Sequence, residues 1–201
     1  MKPYKKIEKN EIKEQEKEPK QSYVMKSHIY RYLMKRYNKH TVLDLGSGAF
    51  FDDADYAIDL YDDTAKDYCH FIKHDLGKAP YPLNKKFKTI KCFRTIEYLK
   101  NPRTLIKEAY RLLDDDGTLL ILTTISKELN DKWIRWKEFQ MQTNTMTNEA
   151  VIKSILMEEG FIYKTYYNSL LGLNFIFLQP IWRLINNTRI FFVCKKNVNK
   201  I

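Results

Sequence analysis

The chain has 201 residues, of which 44% are hydrophobic and 30% charged, with a formal net charge of +10. This length and composition predict one soluble globular domain with a sizeable core. Three cysteines without Cys-x-x-Cys spacing argue against a disulfide framework or a zinc site, and they favour a reducing, cytoplasmic compartment. The most apolar segment, Leu170 to Ile185, is too short to span a bilayer, so we expect no transmembrane segment.

Charge is unevenly placed along the first forty residues. Residues 1–20 carry seven Lys and five Glu with few apolar side chains, which predicts a disordered tail ahead of a single domain over 21–201. Residues 21–40 contain no acid and five basic residues, Lys26, Arg31, Lys35, Arg36 and Lys39. This basic stretch is either a solvated face or a surface that attracts the phosphates of a nucleic acid, a nucleotide or a membrane.

The first elements surround a glycine turn. Ser22 is a candidate cap for a helix that runs to about Asn38. The apolar run Val42–Leu45 predicts a buried strand, and it ends in the turn Gly46-Ser47-Gly48. A second strand, Tyr56–Asp59, ends in an acid. The intervening segment Ala49–Asp55 is too short for a full crossover helix between parallel strands.

The middle of the chain continues as alternating strands and helices. Strands are predicted at Phe71–His74 and Thr89–Phe93. Asn101-Pro102 then supplies a cap and a first-turn proline for a helix, which ends at Asp114–Gly117. The next strand, Thr118–Thr123, is apolar on both faces, as expected in a parallel sheet covered by helices.

The last third is predicted less regularly. Residues 126–146 are irregular or helical, and their aromatic side chains form either core or an acceptor-pocket wall. Thr147 caps a helix that stops at Gly160. The strands Phe161–Tyr167 and Ile190–Cys194 follow, and together they predict an antiparallel edge.

Five ordered motifs resemble those of the class I S-adenosylmethionine-dependent methyltransferases, in their type 11 branch. The motifs are Val42–Gly48, Ala57–Asp59, His74–Phe87, Ile96–Pro102 and Leu112–Leu119. The resemblance implies an α/β fold with a Rossmann-like, mostly parallel seven-stranded sheet, helices on both faces and an antiparallel last strand. It also implies S-adenosylmethionine as cofactor. This chain departs from the family in its shortened first crossover helix and in Phe50, which replaces a third glycine.

The resemblance also implies a set of cofactor-binding residues: Asp44, Gly46, Ser47, Gly48, Asp59, Leu60, Asp75, Leu76, Arg94 and Thr95. In the family pattern the glycine turn lets the backbone approach the methionine portion, and Asp44 lies beside the cofactor's amino group. Asp59 accepts bonds from both ribose hydroxyls, and Asp75 with the Leu76 amide contacts adenine. Arg94 and Thr95 end the strand where the cofactor faces the acceptor.

Each of the charged candidates also has a purely structural interpretation. Asp44 could cap a turn, and Asp59 could be a surface acid at a strand end. Asp75 could form an Asx-turn, and Arg94 could pair with Glu97. These alternatives stay open at the level of sequence.

Three functions are compatible with these motifs. The first is methyl transfer to a small molecule, a glycan or a lipid-linked acceptor. The second is an RNA methyltransferase or RNA-binding relative, which the basic stretch 21–40 favours. The third is a non-catalytic protein that keeps the fold as a binding platform. The family has no universal catalytic residue, so the resemblance implies none here, and no metal site is expected.

Overall fold

The computed structural model describes residues 28–48, 53–60, 69–124, 149–168 and 189–198. These residues form three α-helices: α1 (His28–Tyr37), α2 (Pro102–Leu112) and α3 (Glu149–Glu158). They form seven strands: β1 (Val42–Leu45), β2 (Tyr56–Asp59), β3 (His70–Lys73), β4 (Phe87–Phe93), β5 (Leu113–Thr124), β6 (Phe161–Asn168) and β7 (Arg189–Lys196). A single 3-10 turn, Ile96–Tyr98, follows β4.

The seven strands form one mixed sheet in the order β3-β2-β1-β4-β5-β7-β6. Strands β1 to β5 pair in parallel, whereas β7 runs antiparallel to both of its neighbours, β5 and β6. This is the Rossmann-like, mostly parallel sheet with an antiparallel last strand that the sequence predicts. Strands β1 and β2 are parallel although only residues 46–55 connect them, which leaves little chain for a crossover helix.

Helices cover both faces of the sheet. On one face, α2 and α3 pack apolar side chains such as Leu105, Ala109 and Ile152 into the larger core. On the other face, α1 packs Tyr30 and Leu33 against β5 and β7. The strands buried between them read as continuous apolar runs for this reason.

Helix α2 begins where local sequence chemistry predicts. The Asn101 side chain accepts a hydrogen bond from the Arg103 amide, and Pro102 occupies the first helical turn. At the end of α3, Gly160 has a φ of +90°, in the left-handed region that favours glycine. Both helix boundaries were therefore readable from single residues.

The start of β5 differs from the prediction of a turn at Asp114–Gly117. The strand begins immediately after α2, and its pairing with β4 shifts register between Phe87 and Thr89. Buried Leu113 pairs with Phe87, and a Cβ on Gly117 would lie only 2.9 Å from the Leu113 side chain. The acidic residues bulge outward, where Lys88 Nζ lies 2.9 Å from Asp114 Oδ2.

Several predictions lie outside the described residues. They are the tail 1–20, the Ser22 and Thr147 caps, Phe50, the aromatic residues of 126–146 and the segment Leu170 to Ile185. The division into a tail and one domain over 21–201 stays a prediction. Among the helices that are described, none combines the length and the apolar character needed to cross a bilayer.

Candidate functional site

Most of the predicted site residues lie at the carboxyl ends of β1, β2 and β4, whereas Asp75 and Leu76 follow β3. The chain leaves β1 toward β2 on one side, and β4 lies on the other side of β1. The strand order therefore reverses between β1 and β4. In open α/β sheets, ligands bind in the crevice that forms at such a switch point.

Gly46 lies in close contact with the end of β4. Its φ is +76°, and a Cβ built on it would lie 2.2 Å from Oγ1 and Cγ2 of Thr95. The Thr95 hydroxyl donates a hydrogen bond to the Gly46 carbonyl at 3.1 Å. A residue with a side chain would therefore not fit at position 46, because Thr95, just after β4, occupies the space that the side chain would need.

Gly48 and Asp59 are joined directly. The Gly48 amide donates to Asp59 Oδ2 at 3.1 Å, which connects the glycine turn to the end of β2. Gly48 has a φ of +48°, and among the described residues a Cβ there would meet no atom within 4 Å. The neighbouring Ser47 hydroxyl is buried and has no hydrogen-bond partner in the described part of the chain. Leu60, which follows Asp59, is partly buried.

Asp44 lies below the glycine turn and pairs with a lysine. Its partner is Lys91, at the directly opposite position on β4, with Nζ 3.4 Å from Asp44 Oδ2. Both side chains are almost fully buried, with 3% of Asp44 and 2% of Lys91 exposed. The sequence reading of Asp44 as a residue beside a cofactor did not include this lysine.

The loop after β3 is anchored on α2. The buried Tyr81 hydroxyl donates to the Leu76 carbonyl at 2.8 Å, and the Tyr81 amide donates to Glu108 at 2.7 Å. Arg111 donates to the Tyr81 carbonyl at 3.0 Å and is paired with Glu108. Because these bonds fix the loop at both ends of Tyr81, they also fix the position of the Leu76 backbone.

Within this loop, Asp75 makes local contacts. Its Oδ1 accepts a hydrogen bond from the Gly77 amide at 2.9 Å, and its Oδ2 lies 3.6 Å from Lys78 Nζ. The Asx-turn alternative is therefore the arrangement that the structure contains.

Glu108→Gln is expected to lower the free energy of unfolding by about 1–2 kcal/mol near pH 7 and by less near pH 3. Burial alone raises the pKa of Glu108, but the bonds from Arg111 and the Tyr81 amide outweigh it and hold that pKa below its ordinary value. The stabilisation is therefore fully present above the ordinary carboxyl pKa and is lost as the pH falls through the lowered pKa of Glu108 in the folded protein. Urea unfolding of both proteins at the two pH values measures the difference. An equal difference at both would contradict the assignment.

Arg94 and Glu97 lie just after β4 and contact each other directly. Arg94 has a φ of +60°, which is uncommon for a residue other than glycine. Its Nε donates to Glu97 at 2.6 Å, and the buried Glu97 also accepts a bond from the Thr123 hydroxyl at 2.8 Å. Burial opposes the charge of Arg94, but Glu97 outweighs it and raises the Arg94 pKa. The predicted alternative of an Arg94–Glu97 pair is thus present, and it fixes a guanidinium at the end of β4.

The structure brings together most of the predicted residues and adds others. Direct contacts join Gly46 to Thr95 and Gly48 to Asp59, whereas Asp75 is bonded within its own loop. The residues that sequence reasoning missed are Lys91, Tyr81, Glu108, Arg111 and Thr123. A lysine within the apolar run of β4 was the one visible signal, because a charge there needs a buried partner.

Comparison with known proteins gives one family match and many structures of the same fold. The sequence model of a methyltransferase domain family matches residues 15–162. No curated protein matches the chain at the sequence level.

Solved structures with the same fold include several methyltransferases. The chain is 16% identical to phosphoethanolamine N-methyltransferase 2 from Haemonchus contortus, with a TM-score of 0.61 over 83% of this chain and 52% of that one. It thus spans about half the length of that enzyme. It is 12% identical to the YcgJ protein from Bacillus subtilis (TM-score 0.59; 83% and 97% covered). It is 17% identical to magnesium protoporphyrin IX methyltransferase from Synechocystis (TM-score 0.54; 84% and 80% covered). At these identities the likeness shows the fold.

Proposed function

Because the chain belongs to the methyltransferase domain family, we propose that it transfers a methyl group from S-adenosylmethionine to a small molecule, a glycan or a lipid-linked acceptor. The observation that carries this proposal is the contact between Gly48 and Asp59 at the switch point of the sheet. It holds a carboxylate beside a glycine turn, and no described atom lies within 4 Å of a Cβ built on Gly48. A ribose diol and a polar methionine tail both fit such an edge.

The residues present fit the cofactor in three places. Asp59 is fixed by the Gly48 amide at the end of β2, where it can accept bonds from ribose hydroxyls. The buried Ser47 hydroxyl has hydrogen-bonding capacity that the described residues leave unused. The Leu76 amide is positioned by the Tyr81 anchor, so it can contact the adenine edge.

S-adenosylmethionine supplies a methyl group on a sulfonium, which is a good leaving group. Positioning and exclusion of water therefore contribute most of the rate. In this chain Thr95 and Arg94, at the end of β4, would orient the acceptor side of the reaction. The ion pair with buried Glu97, which itself accepts a hydrogen bond from Thr123, holds the Arg94 guanidinium in one position there.

Two enzymes among the structural neighbours support small acceptors as a class. Phosphoethanolamine N-methyltransferase 2 was solved with phosphomonomethylethanolamine and S-adenosylhomocysteine, and its companion structure contains S-adenosylmethionine. The magnesium protoporphyrin IX methyltransferase was solved with S-adenosylhomocysteine bound. The proposal places the protein in the cytoplasm, where the thiols of Cys69, Cys92 and Cys194 stay reduced.

Asp59→Ala is expected to weaken S-adenosylmethionine binding at least tenfold, because charge-assisted hydrogen bonds contribute about 1.5–3 kcal/mol each. Isothermal titration calorimetry with S-adenosylmethionine and S-adenosylhomocysteine measures the loss. Asp53→Asn is the matched control, since Asp53 is an exposed acid between the same two strands. Unchanged affinity in a folded Asp59→Ala protein would refute the role of Asp59.

A turnover assay separates the enzyme from a non-catalytic binding protein. Wild-type protein, S-adenosylmethionine and fractionated cell extracts are combined, and formation of S-adenosylhomocysteine is followed. Turnover that disappears in Asp59→Ala supports methyl transfer. Tight cofactor binding without turnover in any fraction would favour the binding platform instead.

A further inference from the structure

Three elements at one end of the sheet contain no acidic residue. Helix α1 and strands β6 and β7 include neither Asp nor Glu. On the outer side of α1, the exposed residues include Arg31, Tyr32, Lys35 and Arg36. The basic stretch seen in the sequence is therefore continued by neighbouring strands into a three-dimensional surface.

Strand register adds two residues of β6 to this surface. Lys164 is paired with Val193, and Tyr166 with Phe191. Val193 and Phe191 both belong to the cluster that packs under α1, so Lys164 and Tyr166 face the same side as the helix. Tyr166 and Tyr37 of α1 both pack against this cluster, which joins strand and helix. We call the set Arg31, Tyr32, Lys35, Arg36, Lys164 and Tyr166 the α1 face.

The cations of the α1 face have no acidic partner among the residues that the structure describes. Within the described ranges, none of its four basic side chains forms a salt bridge. On the opposite face of the sheet, Arg103, Arg111 and Lys153 each pair with a glutamate. Within the described residues, the positive charge of the α1 face is therefore not offset by a salt bridge, and such a surface attracts an anionic partner.

Aromatic rings are interleaved with these cations. The Tyr32 side chain is 40% exposed, and its hydroxyl accepts a hydrogen bond from Arg36 at 3.2 Å. The Arg36 guanidinium lies 5.6 Å from the centroid of the Tyr37 ring. Cations for phosphates together with exposed rings for bases are the combination that binds single-stranded nucleic acids. From Tyr30 to Tyr37, where the burial of α1 is described, no aliphatic side chain is exposed to insert into a bilayer, which disfavours a membrane surface.

The α1 face begins beside the proposed cofactor site. Tyr30, near the start of α1, packs on Phe93 at 5.7 Å between ring centroids, and Phe93 directly precedes Arg94. The end of α1 lies near the start of β4, at the opposite end of the strand, where the Thr89 hydroxyl donates to the Tyr37 carbonyl. An extended ligand bound along α1 would therefore reach the carboxyl ends of the β-strands, where the glycine turn lies.

We propose that the α1 face binds a single-stranded nucleic acid through its phosphates and through stacking on Tyr32. This binding function goes beyond methyl transfer and does not require it. Phosphate contacts from Arg31, Lys35, Arg36 and Lys164 supply affinity, and the tyrosine ring distinguishes an unpaired strand from a duplex.

The test uses the full chain and a fluorescein-labelled single-stranded RNA of about 20 nucleotides, followed by fluorescence anisotropy. The triple variant Arg31→Gln, Lys35→Gln and Arg36→Gln is compared with Lys85→Gln, Lys100→Gln and Lys107→Gln, which removes the same charge from exposed positions elsewhere. The α1-face variant is expected to bind at least tenfold more weakly. The slope of its log affinity against log salt concentration should be shallower by about 2, because each of the three lost phosphate contacts contributes about 0.7 to that slope. The control variant should change binding less than threefold.

Tyr32 separates stacking from charge. Tyr32→Ala is expected to weaken binding about fivefold or more, whereas Tyr32→Phe keeps the ring and should bind nearly as wild type. Equal losses in the two triple variants would overturn the proposal, since binding would then follow net charge alone. Tighter binding to phosphatidylserine vesicles, measured by co-sedimentation, than to RNA would also overturn the proposal. Calorimetry with S-adenosylmethionine on each variant should be unchanged, so failure of this surface and failure of the cofactor site give different results.

Discussion

Gly46→Ala is expected to destabilise the protein by about 3 kcal/mol or more. A side chain at a left-handed φ costs about 1–2 kcal/mol, and Gly46 has a φ of +76°. The added Cβ would also lie 2.2 Å from two atoms of Thr95, and overpacking of this kind costs about 1–3 kcal/mol. Urea unfolding followed by circular dichroism measures the change.

Gly48→Ala is the matched control for Gly46→Ala. It has a similar backbone strain, with a φ of +48°, but among the described residues its Cβ meets no atom within 4 Å. Its expected cost is only the strain of about 1–2 kcal/mol. Adding Thr95→Gly to Gly46→Ala should recover part of the lost stability, because the contact then disappears. Equal costs for the two alanine variants would show that Thr95 does not explain Gly46.

Features encoded by neighbouring residues were predictable from the sequence. Asn101 and Pro102 fix the start of α2 because a cap and a first-turn proline act within one helical turn. The apolar runs locate the strands, and the short connection before Tyr56 indicates the reduced first crossover. The antiparallel β6 and β7 follow from their position after the last helix.

Features that depend on strand register were not predictable. The bulge at the start of β5 arises because Leu113 pairs with Phe87 while Gly117 lies against Leu113. In the sequence, Asp114 to Gly117 resemble an ordinary turn. The outcome depends on which β4 residue lies opposite, and nothing local determines that.

The site shows the same division. The resemblance indicates Gly48 and Asp59 as two separate residues. Their hydrogen bond shows that they lie at the same site. Asp75 was open to two interpretations from its sequence, and the local Asx-turn is present. The partner of Asp44 could not be found in this way, because Lys91 is far along the chain and becomes its neighbour only through the parallel pairing of β1 and β4.

Lys91→Met is expected to lower the free energy of unfolding by about 3–5 kcal/mol, because it leaves the buried Asp44 carboxylate without its lysine. Methionine is close to lysine in length, so the change removes charge with little loss of packing. Lys88→Met is the matched control on the same strand, since Lys88 pairs with Asp114 and Asp116 at the surface. Exposed pairs contribute little, and the control should lose much less stability. Urea unfolding of both variants measures the contrast.

The double variant Asp44→Asn with Lys91→Met decides what Asp44 does. Replacing both partners of a buried ion pair is often close to neutral, so the double variant should recover most of the stability that either single change loses. If Asp44 serves mainly as the partner of Lys91, the folded double variant should bind S-adenosylmethionine within about threefold of wild type. If Asp44 also contacts the cofactor's ammonium group, affinity should fall tenfold or more while stability is restored. A double variant as unstable as Lys91→Met alone would contradict the coupling of the two residues and assign the loss to Lys91 by itself.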